Sequence, residues 1–287
     1  MTENTLLPQG PLVSTGWLAQ RLGHPRVVIV DASWYLPDSG RDARAEYLAG
    51  HLPGALWFDI DALSDAADPL PHMLLPAARF AEEIGRLGIG DDDVVVAYDG
   101  SGANLSAARV WWMLRHAGHD AVAVLDGGLG KWKAEGQPLV AGEERRPPAA
   151  FALRPPRDWV IDRRGVRANL STGRMQMVDA RVRERYLGTQ PEPRPGVRSG
   201  HIPGAKNVPY PDLVAADGTV LPPRQLEDRF AAAGVHPTRP VAAYCGSGVS
   251  ACAVLLALET IGRPGQLLYD GSWTEWGGDP ELPMEVG

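Results

Sequence analysis

The sequence predicts an α/β protein of two tandem domains, each a mostly parallel sheet flanked by helices. Three observations predict it. At 287 residues the chain exceeds the usual size of one domain. Its two halves carry the same landmarks in the same order. Each half also alternates short β-branched runs with segments of helical period, the pattern of a sheet covered on both faces.

The landmarks are specific. Asp31-Ala32 returns as Asp179-Ala180, and Gly50-His51-Leu52-Pro53-Gly54-Ala55 returns as Gly200-His201-Ile202-Pro203-Gly204-Ala205. Ala97-Tyr98-Asp99-Gly100-Ser101-Gly102 returns as Ala243-Tyr244-Cys245-Gly246-Ser247-Gly248, and Asp126-Gly127-Gly128 with Trp132 returns as Asp270-Gly271-Ser272 with Trp276. The offsets are 148, 150, 146 and 144 residues, so four ordered matches keep nearly one spacing. The repeat implies an N-terminal domain over 1–140, a Pro/Arg-rich linker over 141–158, and a C-terminal domain over 159–287.

Along the first half, residues 27–30, 94–98 and 122–125 are apolar runs bounded by Gly, Pro and Asp, which predicts strands. Residues 77–87 and 103–116 place apolar side chains at helical spacing. The second half predicts strands over 175–178, 241–244 and 267–269, and helices over 224–233 and 249–261. Ligands of such folds gather at the carboxyl ends of the strands, which is where Cys245 falls.

Composition narrows the function class. A net charge of −7 excludes nucleic acid as the main partner, because phosphate binding needs a basic surface. No apolar run approaches the roughly 18 residues of a membrane span. The opening MTENTLLPQG lacks the basic start and apolar stretch of a signal peptide, and the chain has 2 cysteines; a reducing cytoplasm is expected. One local exception matters: Arg181, Arg183, Arg185, Arg194 and Arg198 crowd a stretch with only Glu184 and Glu192 against them. The clustering suggests a small anion site.

Cys245 opens the run Cys245-Gly246-Ser247-Gly248-Val249-Ser250, between an apolar strand and an apolar helix. Such a loop aims backbone N–H groups inward and favours the thiolate, which makes Cys245 a candidate nucleophile. Cys252 reads as a packed helix residue. A cysteine-dependent phosphatase shares this strand–loop–helix plan but needs an arginine where Ala251 stands. His51 and His201 recur in both halves, including the half without the cysteine, so a structural role suits them; His72 has no repeat partner.

Taken together, these residues resemble the rhodanese family, most closely its 3-mercaptopyruvate sulfurtransferase branch. The resemblance rests on the repeat, on 200–205, on the Cys245 loop, and on the ending Asp270-Gly271-Ser272-Trp273-Thr274-Glu275-Trp276. In the first half it rests on Asp31-Ala32-Ser33-Trp34-Tyr35-Leu36-Pro37, Phe58-Asp59-Ile60-Asp61 and Arg109-Val110-Trp111-Trp112.

It implies two rhodanese-like domains, the first non-catalytic because Asp99 stands in the place of the cysteine. It implies sulfur transfer from 3-mercaptopyruvate to a thiol acceptor or cyanide through a Cys245 persulfide, with pyruvate released and no metal or organic cofactor. The loop Gly246, Ser247, Gly248, Val249 and Ser250 would frame the sulfur, and Arg185 and Arg194 would hold the carboxylate and ketone oxygens. Arg183 and Arg198 lie off the pattern. By the same resemblance Asp61 and His72 reach toward Ser247 as a proton relay. The small, uncharged Gly246 and Ser247 stand where thiosulfate-specific members carry basic residues. A thiosulfate sulfurtransferase is the nearest alternative, and a non-catalytic rhodanese binding module the next. The expected partners are a small-molecule sulfur donor and a thiol acceptor, either thioredoxin or a low-molecular-weight thiol.

Overall fold

The computed structural model describes residues 6–36 and 39–287. Met1–Thr5 and Pro37–Asp38, and with them the opening segment and the last residue of the 31–37 motif, lie outside the described residues. The chain forms two compact units.

The first unit comprises the described residues through Leu63, then Leu74–Arg157 and Ala216–Val220. Its sheet contains β1 (Leu12–Val13), β2 (Val27–Asp31), β3 (Ala55–Trp57), β4 (Val94–Tyr98) and β5 (Val122–Leu125), in the order β1-β5-β4-β2-β3 with every pair parallel. The helices are α1 (Thr15–Ala19), α2 (Ala43–Ala49), α3 (Ala77–Arg86), α4 (Leu105–His116) and α5 (Gly128–Ala134). β4 is buried along its whole length, as a central strand covered on both faces must be. The Pro/Arg-rich stretch before 158 packs onto this unit. Gly85 admits its backbone at Ala149 and Gly88 admits it at Pro147, where a side chain would collide.

The second unit comprises Ser64–Met73, Asp158–Ala215 and Leu221–Gly287. Its sheet contains β6 (Gln176–Asp179), β7 (Lys206–Asn207), β8 (Val241–Tyr244) and β9 (Leu267–Leu268), in the order β7-β6-β8-β9, again all parallel. Around it lie α6 (Arg163–Thr172), α7 (Arg183–Leu187), a 3₁₀ turn (Tyr210–Leu213), α8 (Pro223–Ala232), α9 (Ala251–Thr260) and α10 (Ser272–Gly278). α9 is buried from Ala251 through Leu258, so its apolar composition on every side is that of a core helix. The sequence places the starts of α4 and α9 two residues early, because the glycine loops in front of them extend further than apolar spacing reveals.

The repeat is exact to single hydrogen bonds. His51 Nδ1 and His201 Nδ1 each lie 2.8 Å from a carbonyl, that of Tyr47 or Tyr186, and each ring stacks on that tyrosine. The hydroxyls of Tyr47 and Tyr186 donate to the carbonyls of Ala55 and Ala205, both at 2.8 Å. The hydroxyls of Tyr98 and Tyr244 accept the N–H groups of Leu52 and Ile202, both at 3.2 Å. Indole Nε1 of Trp132 and Trp276 donates to Pro138 and Pro283, again at 2.8 Å. Burial of these polar groups is tolerable because each finds a partner inside, so the recurring Gly-His-x-Pro-Gly-Ala turn is architecture.

Candidate active site

Cys245 directly follows β8, at the carboxyl end of the central strand of the second sheet. The site begins with the way this corner is held. The Cys245 N–H donates to Ser272 Oγ at 3.2 Å, and Ser272 in turn donates to the Tyr269 carbonyl at 2.8 Å. The carbonyls of Cys245 and Gly246 accept the Trp273 and Thr274 N–H groups at 2.9 and 3.0 Å, and Thr274 Oγ1 adds a 2.6 Å bond to Gly246. The start of α10 therefore clamps the outer backbone of the loop. The inner N–H groups of Gly246, Ser247 and Val249 donate to no group among the described residues. Gly248 turns the chain at φ +79°, as Gly102 does at +78° in the first unit, a left-handed conformation that glycine adopts without penalty.

The side chains of Cys245, Ser247 and Val249 are 2, 5 and 5% exposed, and Gly246 and Gly248 are buried. Ser250, half-buried, is the N-cap of α9. Cys252, the second residue of α9, is fully buried and donates its thiol to the Gly248 carbonyl at 3.3 Å. Both cysteines are free.

Arg185 and Arg194 converge on Gly246. A Cβ at that position would sit 3.2 Å from Arg185 Nη2 and 3.8 Å from Arg194 Nη1, so two cations flank the residue next to the thiol. The absence of a side chain is what admits them. Arg185 is not a loose surface group. Glu192 accepts its Nε at 3.1 Å and also its Nη2, while Glu192 Oε1 takes Arg181 Nη1 at 2.7 Å. Arg181 is buried; burial opposes its charge, but the doubly bonded Asp179 and Glu192 outweigh that and hold it firmly protonated. Arg183 is exposed. Arg198, off the family pattern, has a structural task. Its Nε and Nη2 donate to the carbonyls of Trp276, Gly277, Asp279 and Leu282, tying down the end of α10.

Tyr210, which sequence reasoning did not single out, lies on the 3₁₀ turn and feels the charge of Arg185. Burial raises its pKa and the Arg185 charge pulls it back only in part, so the phenol stays protonated. Ser272 and Thr274 were legible only as parts of a motif, with no sign that they brace the nucleophile.

His72 belongs to the second unit although it lies early in the sequence. Its Nδ1 and Ser247 Oγ share a 2.8 Å hydrogen bond, and the residue is buried. Its backbone is left-handed (φ +60°), a conformation of small but real cost for a residue with a Cβ. Asp61 belongs to the first unit, where its carboxylate accepts Trp34 Nε1 at 2.9 Å.

In the first unit the matching loop is closed by its own side chains. Asp99 accepts the N–H groups of Ser101 and Ala107, both at 2.9 Å, capping α4 in the nucleophile's place. Arg41 donates to the Gly100 carbonyl at 3.1 Å and stacks on Tyr35.

The rhodanese-like domain family matches residues 14–135 and again 163–279. The chain belongs to the rhodanese family. Both matched rhodanese domains coincide with the sheets described above. Human 3-mercaptopyruvate sulfurtransferase is 45% identical over 270 residues, which cover 92% of this chain and 91% of that protein. Bovine thiosulfate sulfurtransferase is likewise 45% identical, over 271 residues that cover 92% and 91%. Among solved rhodanese structures, SseA of Escherichia coli, described as a 3-mercaptopyruvate sulfotransferase, superposes with a TM-score of 0.84 at 38% identity, covering 92% of this chain and 99% of its own. Tum1 of Saccharomyces cerevisiae superposes with a TM-score of 0.88 at 31% identity, covering 97% and 99%. Overall identity to the two named activities is the same, so it does not choose between donors. No helix among the described residues is long and apolar enough to cross a membrane.

Proposed function

We propose that this rhodanese is a sulfurtransferase whose preferred donor is 3-mercaptopyruvate and whose carrier is a Cys245 persulfide. The observation that carries the donor assignment is the pair of guanidinium groups over Gly246, beside a loop with no cation of its own. A forked guanidinium matches a carboxylate oxygen for oxygen, and mercaptopyruvate places a carboxylate and ketone a short distance from its sulfur.

The Cys245 thiolate attacks the substrate sulfur and the carbon–sulfur bond breaks. Its electron pair goes to carbon as the enolate of pyruvate, whose oxygens Arg185 and Arg194 stabilise; protonation at carbon completes pyruvate. The outer sulfur of the persulfide is then held by the inner N–H groups of Gly246, Ser247 and Val249. A second thiolate attacks that outer sulfur, takes it, and restores the Cys245 thiolate, a two-step exchange through a covalent intermediate. The His72–Ser247 pair moves the proton of the substrate thiol. Gly248 and Ser250 shape the loop and its exit into α9. The acceptor is thioredoxin or a low-molecular-weight thiol. Two free cysteines suit a reducing compartment, for which we propose the cytoplasm.

Steady-state rates on mercaptopyruvate and thiosulfate, with cyanide and thiol acceptors, test the reading. Mercaptopyruvate should be the better donor by at least tenfold in kcat/KM. A preference for thiosulfate would reassign the donor, and the absence of cyanolysable sulfur on the protein would leave a binding module.

A further inference from the structure

Glu192 is a buried carboxylate in the middle of the arginine-rich stretch, with a side chain 4% exposed. It makes three hydrogen bonds, of which two go to Arg185 and one to Arg181. Arg181 does not depend on it, being held also by both oxygens of Asp179 and by the Gly200 carbonyl. The Arg185 side chain makes no other hydrogen bond among the described residues, so Glu192 is what tethers it.

The geometry divides the Arg185 guanidinium into two edges. Glu192 takes the Nε–Nη2 edge, using two of the five N–H donors. The opposite edge, Nη1 with the second Nη2 hydrogen, is left for a ligand, and Nη2 lies over Gly246. A guanidinium held on one fork can present the other in a fixed plane, whereas an untethered arginine must be ordered by the substrate itself.

We propose that Glu192 is a positioning residue for the sulfur-donor carboxylate, acting entirely through Arg185. The proposal rests on the sulfurtransferase reading above. Its signature is coupling. While Arg185 is present, loss of the Glu192 charge frees the guanidinium and weakens donor binding; once Arg185 is gone, Glu192 has nothing left to position.

The test is a double-mutant cycle on mercaptopyruvate kinetics with the full-length chain: wild type, Glu192→Gln, Arg185→Ala, and both together. Glu192→Gln should lower kcat/KM about tenfold, the loss of one charge-assisted contact, with a raised KM as part of the loss. In the Arg185→Ala background the same change should have no further effect on kcat/KM. Should Glu192→Gln fail to fold, Glu192→Asp keeps the charge but retracts it from Arg185, and should give an intermediate KM and an intermediate kcat/KM. Equal losses with and without Arg185, an unmoved KM, or a fall in kcat alone would each overturn the assignment while the wild type remains active. A wild type inactive on every donor would instead remove the sulfur-transfer reading, and this proposal with it.

Discussion

Ser272 offers the sharpest test of how the nucleophile is held. Its hydroxyl is the partner of two buried groups, the Cys245 N–H at 3.2 Å and the Tyr269 carbonyl at 2.8 Å. It is fully buried, and its backbone is left-handed at φ +53°. Ser272→Ala removes both bonds and keeps the backbone cost. Stranding one buried polar group costs about 1–3 kcal/mol, and the longer of the two bonds belongs at the low end, so the pair amounts to about 2–4 kcal/mol. Ser272→Gly loses the same bonds but relieves the left-handed strain, which recovers about 1 kcal/mol. The matching residue in the first unit, Gly128 at φ +54°, is already a glycine. Urea unfolding of the three proteins, followed by tryptophan fluorescence, should order them wild type, Gly, Ala in midpoint. Because the lost bond is to the nucleophile's own backbone, turnover at saturating donor should also fall in both variants. An alanine variant as stable as wild type, or more stable than the glycine variant, would refute this account of the clamp.

Other outcomes follow from the same site. Cys245→Ser should abolish turnover while Cys252→Ser keeps most of it, and mass spectrometry after incubation with mercaptopyruvate should find added sulfur on the Cys245 peptide. Arg185→Ala and Arg194→Ala should each lower kcat/KM by about ten- to a hundredfold, the worth of a charge-assisted hydrogen bond of about 1.5–3 kcal/mol. Arg183→Ala should be silent in the same kinetics, whereas Arg198→Ala should lower the urea midpoint, because four carbonyls at and just after the end of α10 lose a side-chain donor. Gly246→Ala should raise KM, since its methyl would press on Arg185 Nη2 at 3.2 Å; an unchanged KM would mean that the guanidinium is not needed where it stands.

Much of this was readable in the chain because the repeat supplies its own alignment. Asp99 opposite Cys245, and the twin histidine turns, follow from comparing one half with the other. The long strands β2, β4, β5 and β8 announce themselves as apolar runs between turn residues. The short strands β1 and β7 do not: they are two residues each, too brief for any period to register, and they exist because a neighbouring strand offers its edge, whereas the equally short β9 was readable as the apolar run 267–269. α7 buries none of its residues, so it has no apolar stripe to betray it. At the site, residues adjacent in sequence were legible and residues brought together by folding were not. Ser272 meets Cys245 across 27 positions, and nothing in the composition of either segment marks the pairing. Glu192 entered the sequence argument as a charge to be subtracted from the arginines around it. Its meaning changes once two of its three bonds are seen to end on one guanidinium.

The division of the chain into units has a consequence for its history. Ser64–Met73, from the first half, is integrated into the second unit, and Ala216–Val220, from the second half, into the first. A duplication leaves two copies that can in principle be separated again, shuffled, or lost one at a time. Here each copy has surrendered a short piece to the other. A chain divided at residue 158 would part Ser247 from His72 and leave the first sheet without the loop that accepts Asn104 Nδ2 and Lys131 Nζ, at Gly218 and Asp217. With such reciprocal lending, neither half of the sequence carries all the residues of its own unit.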